Sequence, residues 1–163
     1  MTRENKELLL QDLSARLPYG VKVVCLMDFN HEWYNLESID IGANEVYVTT
    51  YESHANRYVE IEAVKPYLFP LSSMTDEQKE DLLLMIVGKE GIKLFNVTKD
   101  GITSNDRAEQ SFENFSLHSI IFSNKNIEEY INWLNKNHFD YRGLIEKGLA
   151  IEVTKENNPY NCN

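Results

Sequence analysis

Leu9, Leu10, Leu13 and Leu17 recur at helical spacing, while Glu4, Lys6, Gln11 and Arg16 fall off that stripe. Residues 3–17 therefore read as an amphipathic helix. Thr2 can cap its start, and Pro18 stops it because the residue before a proline is pushed out of the α region. Past Gly20 the apolar period drops from that of a helix to that of a strand. Val21–Met27 is a short, β-branched run, the pattern of a largely buried strand. Glu37–Ile41 alternates, with Ile39 and Ile41 sharing a face, and Val46–Tyr51 gives a third strand. Tyr58–Val64 alternates again, with Val59, Ile61 and Ala63 inward and Glu60 and Glu62 outward. Short polar loops at 42–45 and 53–57 join these strands. A parallel crossover needs roughly a dozen residues or more, so the spacing predicts an antiparallel meander.

The pattern predicts an α+β protein: an N-terminal helix plus a twisted antiparallel meander over residues 1–64, followed by a smaller α/β part. A helix before four or five short strands fits a small SH3-like or Sm-like barrel, in which curling leaves fewer unpaired edges. Pro66 and Pro70 make residues 65–74 read as a connector, and Tyr67, Leu68, Phe69 and Leu71 make it a packed one. In the C-terminal part, 75–153, Thr75–Gln78 is a capping box that starts a helix ending at Gly88. Strands are expected at 92–97 and 117–122 around a turn at Asp100-Gly101. Asn126 and Glu129 open a helix whose face carries Ile127, Tyr130, Ile131, Leu134 and His138. A last strand spans Leu149–Val153, and residues 154–163 read as a loose polar tail.

Composition narrows the class. Apolar residues make up 42% of the 163 positions, enough for a core. No apolar run approaches the ~20 residues that span a bilayer, and Met1–Glu7 has no secretory signal behind it. Cys25 lies in an apolar run and Cys162 beside the C-terminus, so neither belongs to a disulfide framework and a cytoplasmic location is expected. The net charge of −10 divides evenly between the two halves of the chain. No basic footprint is visible, so nucleic-acid binding is disfavoured.

Chemistry-bearing motifs are sparse. His31, His54, His118 and His138 are scattered, with no metal-ligand spacing, and no glycine-rich phosphate loop is present; neither a metal nor a cofactor is expected. One polar cluster stands out: His138, Asp140, Tyr141 and Arg142, at the end of the last helix. As a functional corner it would offer Arg142 to an anion. As a structural turn, it would set His138 at the negative helix end, use Asp140 as a hydrogen-bond acceptor and give Gly143 an unusual backbone angle. Trp33, Tyr47 and Tyr51 are candidate interaction aromatics.

Three blocks, Asp12–Val21, Lys65–Thr75 and Trp133–Val153, the last containing Asn137-His138-Phe139-Asp140-Tyr141-Arg142-Gly143, carry a resemblance. They resemble a family of small uncharacterised proteins of Bacteroides and related gut bacteria, often encoded among prophage or mobile-element genes. The resemblance implies such a setting and carries over no catalytic residue. With no catalytic signature, the chain reads as a non-enzymatic accessory protein, a protein-interaction module of a phage or mobile element. A nucleic-acid-associated small barrel, with its tyrosines as a stacking platform, is one alternative. An enzyme using the His138/Asp140/Arg142 corner is the other.

Overall fold

The first helix, α1 (Arg3–Arg16), starts where Thr2 accepts a hydrogen bond from the Asn5 amide at 3.2 Å. A 3-10 turn over Leu17–Tyr19 follows, and Gly20 closes it at φ +67°, a left-handed angle that suits a residue without a Cβ. These elements belong to a computed structural model that describes residues 1–28, 33–50, 56–91, 95–98, 101–104 and 124–161. The chain divides into two units: Met1–Pro70 with His138–Asn163, and Leu71–Asn137.

In the first unit five strands follow α1: β1 (Lys22–Cys25), β2 (Trp33–Asp40), β3 (Glu45–Thr49), β4 (Arg57–Glu60) and β5 (Val64–Pro70). Sequential neighbours from β1 to β4 pair antiparallel, and β1 also pairs antiparallel with β5. This is the expected meander. Its inner face and α1 share one core that includes Leu9, Leu13, Val23, Leu36, Val48 and Ile61. A bulge between Leu36 and Ser38 gives β2 one extra residue, so Tyr34, Leu36 and Ile39 point inward instead of a simple alternation. Ile41, expected inside, is 69% exposed in the turn beyond.

Two expectations change here. The sheet does not close into a barrel. Its order is β4-β3-β2-β1-β5-β8, and β5 spends its second edge on the C-terminal segments β8 (Phe139–Asp140) and β9 (Ile151–Glu152). Both pair with β5 in parallel, Phe69 opposite Phe139 and Tyr67 opposite Ile151. Residues 65–70 are thus a sheet strand, not a connector: Pro66 and Pro70 are tolerated where the ladder needs no donor from them. The parallel pairing of β5 with β8 demands a long crossover, and the whole second unit is that crossover.

The C-terminal tail is not loose. The Tyr160 hydroxyl donates to the Tyr67 carbonyl at 2.8 Å and accepts from the Lys22 amide at 3.3 Å. Its ring stacks on His138 with centroids 4.3 Å apart. One half-buried tyrosine supplies what a polar tail lacks.

The second unit holds α2 (Asp76–Gly91), the hairpin β6 (Phe95–Thr98) with β7 (Gly101–Ser104), and α3 (Asn124–Lys136). The Thr75 hydroxyl and the Gln78 side chain cap each other's amides, forming the expected capping box. Contacts run from α2 to both α3 and β6. Leu82, Leu83 and Leu134 are buried. The strand expected at 117–122 lies outside the described residues.

Tyr160→Ala should lower the unfolding free energy by about 2 kcal/mol, below the range for fully buried aromatic truncations because the ring is half-buried, with the loss of its hydrogen bond to the Tyr67 carbonyl included. Urea unfolding measures this, and a change below about 0.5 kcal/mol would place the tail outside the core.

Candidate functional site

The polar corner forms where the chain returns to the first unit. His138 sits at φ +56° and Gly143 at φ +71°. The Asp140 carboxylate accepts from the Leu144 amide at 2.9 Å and the Ile145 amide at 2.8 Å, capping the turn that follows. Arg142 donates to Asp12 Oδ1 at 3.0 Å, while Arg16 Nε donates to Asp12 Oδ2 at 2.8 Å. Arg16 Nη2 also donates to the Phe139 carbonyl at 2.7 Å. The side chains of Asp12 and Arg16 have 0% exposure, so the Arg16 expected off the buried stripe lies at its centre. Tyr141 lies beneath the guanidinium of Arg142, 4.5 Å from the ring centroid. Asp140 and Arg142 are therefore occupied in holding the chain.

His138 is the exception. It is only 7% exposed, and its Nδ1 has no hydrogen-bond partner among the described residues. Burial, with the charges of Arg16 and Lys22, lowers its pKa from 6.5 to about 4. The expected cationic histidine at a helix end is instead a neutral ring, because burial outweighs the helix dipole. Gly143 also differs in detail. A Cβ there meets nothing within 4 Å, so its requirement is the backbone angle and not space.

The candidate aromatics do not form one patch. Trp33 is half-buried against the Val24, Tyr67 and Val153 cluster, with the Lys22 ammonium 4.6 Å from its ring centroid. Tyr47 leans on Tyr58, ring centroids 5.0 Å apart, and Tyr58 is 65% exposed. Tyr51 lies outside the described residues, as does Cys162.

A second site lies at the β4 end of the sheet, where a pocket of about 320 Å³ opens. Cys25 and Met27 line it from β1 and its following turn, Glu45 from β3, and Arg57, Tyr58 and Glu60 from β4. Nearby, the Tyr34 hydroxyl and Arg57 Nη2 both donate to Asp28 Oδ2, and Arg57 lies 4.8 Å over the Tyr34 ring. These hydrogen bonds, Tyr34 first, hold the Asp28 carboxyl below its ordinary range. Burial, then the Asp28 hydrogen bond, pushes the Tyr34 phenol up to about 12. Burial raises the Cys25 thiol as well, so the protonated form is favoured and the nucleophilic thiolate is not.

On the outer face, register places Asp40 opposite Glu45 and Glu45 opposite Glu60. Three carboxylates thus cross three strands in a row, next to the Tyr47–Tyr58 pair. Sequence reasoning placed Glu60 outward but missed this row, since cross-strand register is absent from the period of any one strand. Arg57 was hidden too, at the end of a segment that reads as a polar loop.

Comparisons of the chain with protein-family models, curated proteins and solved structures return no match. Among the described residues, no cluster of three or more His, Cys, Asp or Glu side chains could hold a metal ion, and no helix is long and apolar enough to cross a membrane.

Asp140→Asn should cost about 2 kcal/mol in urea unfolding, because an amide can accept only one of the two backbone bonds with its oxygen. A pH dependence follows from His138. Above about pH 6.5 it is neutral in both folded and unfolded chains. Between pH 6.5 and about 4 the unfolded chain binds a proton that the folded one refuses. Stability is therefore fully present above that window and falls as pH drops through it, by up to about 3 kcal/mol. Unfolding midpoints across this range should show the slope, and His138→Asn, which tolerates a positive φ, should remove this contribution.

Proposed function

We propose that this chain is a non-enzymatic protein-interaction module, acting in the cytoplasm in a phage or mobile-element setting. The setting rests on the family resemblance. The interaction reading rests on one contrast in the first unit. Asp140 and Arg142 are committed to the fold, whereas the β4 end of the sheet presents open apolar surface, with Met27 75% and Tyr58 65% exposed around a pocket. Clustered apolar exposure of this kind marks interaction sites.

The same face weighs against the nucleic-acid alternative. The tyrosines that could stack bases share it with Asp40, Glu45 and Glu60, whose charges repel phosphate. Arg57, close by, already pairs with Asp28. The enzyme alternative has little to use at the corner, because His138 is buried and Asp140 and Arg142 are engaged.

Photocrosslinking in the native host tests the proposal. A benzophenone amino acid replacing Tyr58 should yield a protein adduct that survives nuclease, and the same probe at exposed Glu146 should not. Adducts destroyed by nuclease, or equal labelling from both positions, would overturn it.

A further inference from the structure

We propose that the β4 edge receives an extended peptide strand from a partner, and that this strand carries a lysine or arginine set against Glu45 and Glu60. The proposal rests on the interaction-module reading and names its surface and its chemistry.

The sheet has two ends, and they are treated differently. The outer edge of β5 is taken by β8 and β9, whereas no described strand pairs with the outer edge of β4. An unpaired edge offers a row of backbone donors and acceptors to another chain. Natural edges are commonly blunted by short length, charge, proline or a bulge. β4, Arg57-Tyr58-Val59-Glu60, is short and carries two charges, but it has no proline and the bulge of this sheet lies on β2. The Arg57 guanidinium is paired with Asp28, so the charge left at this edge is the negative one of Glu60. Tyr58 and Glu60 are exposed and stand on one face, two residues apart.

Charge then selects the occupant. Like charges directly opposite one another across strands are unfavourable. The row Asp40–Glu45–Glu60 repeats that conflict twice, and none of the three belongs to an ion pair among the described residues. A cation brought by the partner relieves it. The one cation in the lining of the pocket beside the row, Arg57, is already neutralised by Asp28, and that pocket adds apolar walls for a long basic side chain. Met27 and Tyr58 can cover its methylene stem, the Tyr58 ring can face its charge, and the carboxylates receive its head. An acidic or phosphorylated segment would meet the row as repulsion.

The experiment is a selection of phage-displayed heptapeptides on the full chain, followed by fluorescence polarisation with the selected peptides. Lysine or arginine should be enriched at one position, with β-branched residues two positions away. Binding should weaken at least tenfold in Glu45→Gln/Glu60→Gln, whose urea midpoint should match or exceed that of the parent because repulsion has been removed. N-methylation of alternate peptide amides should abolish binding, as loss of strand pairing requires. Selection of no basic residue, equal binding by the double variant, or indifference to N-methylation would overturn the proposal. If it fails while the Tyr58 crosslinker still captures protein, the interaction reading stands and only the basic strand falls. If both fail, both fall.

Discussion

The first unit depends on one carboxylate without exposed surface. Asp12 lies on the buried side of α1 and holds Arg16, four residues along, and Arg142, which comes from the far end of the chain. Ions lose several kcal/mol on leaving water, and a buried pair repays this only where the remaining donors and acceptors are satisfied. Here Arg16 also reaches the Phe139 carbonyl, and Asp140 takes two amides of the following turn. Two carboxylates and two guanidiniums therefore balance around the returning chain. His138 stands next to that balance, and a third positive charge would upset it. Its neutral ring follows first from its burial and then from the nearby charges of Arg16 and Lys22.

That attachment decides which side of the sheet is available. With Arg16 holding Phe139, β8 lies along β5, and β9 pairs beside it. Tyr160 adds a further hold through the Tyr67 carbonyl. The β8 and β9 pairings and the Tyr160 contact consume the β5 edge that a closing barrel would have used. The β4 edge is left at the other end, where the exposed side chains are Tyr58 and Glu60. The openness of one edge and the burial of the polar corner are therefore linked by topology.

Local elements were legible because local rules decide them. The capping box starts α2, and the tight polar loops imply antiparallel pairing. Pro18 is a weaker marker than its sequence position suggests, because Leu17 before it keeps right-handed helical angles and the chain turns away only at Gly20, after a 3-10 turn. Long-range pairings were not legible. The reading that sets Arg16 off the leucine stripe fails on spacing itself, since Leu9, Asp12, Leu13 and Arg16 stand at i, i+3, i+4 and i+7 and share the buried face. What the spacing does not show is the Phe139 carbonyl, over a hundred residues away, that helps satisfy the buried guanidinium. Lys65–Pro70 was taken from the sheet by its prolines, although neither breaks the ladder where it stands. Ile39 was legible as an inward residue, but the bulge after Leu36 disguised the phase of β2 upstream of it, and Ile41, on the same face by simple alternation, lies exposed beyond the strand. As for the candidate site, residue type identified the His138–Arg142 cluster but could not say whether its charges face a ligand or a helix.

The cluster shows why that ambiguity is physical. A chain that leaves a sheet and comes back beside its own departure point must bury polar backbone at the seam. Charged side chains with several donors or acceptors are suited to satisfy it, and they are also the residue types that catalysis recruits. What separates the two uses is spare capacity. Asp140 spends an oxygen on each of two amides, and Asp12 spends an oxygen on each of two arginines. At the β4 end the opposite holds: Glu45 and Glu60 face each other across the strands with no cation between them among the described residues. Unspent charge beside an unpaired strand is a better guide to where this protein meets another molecule than the identity of its most reactive side chains.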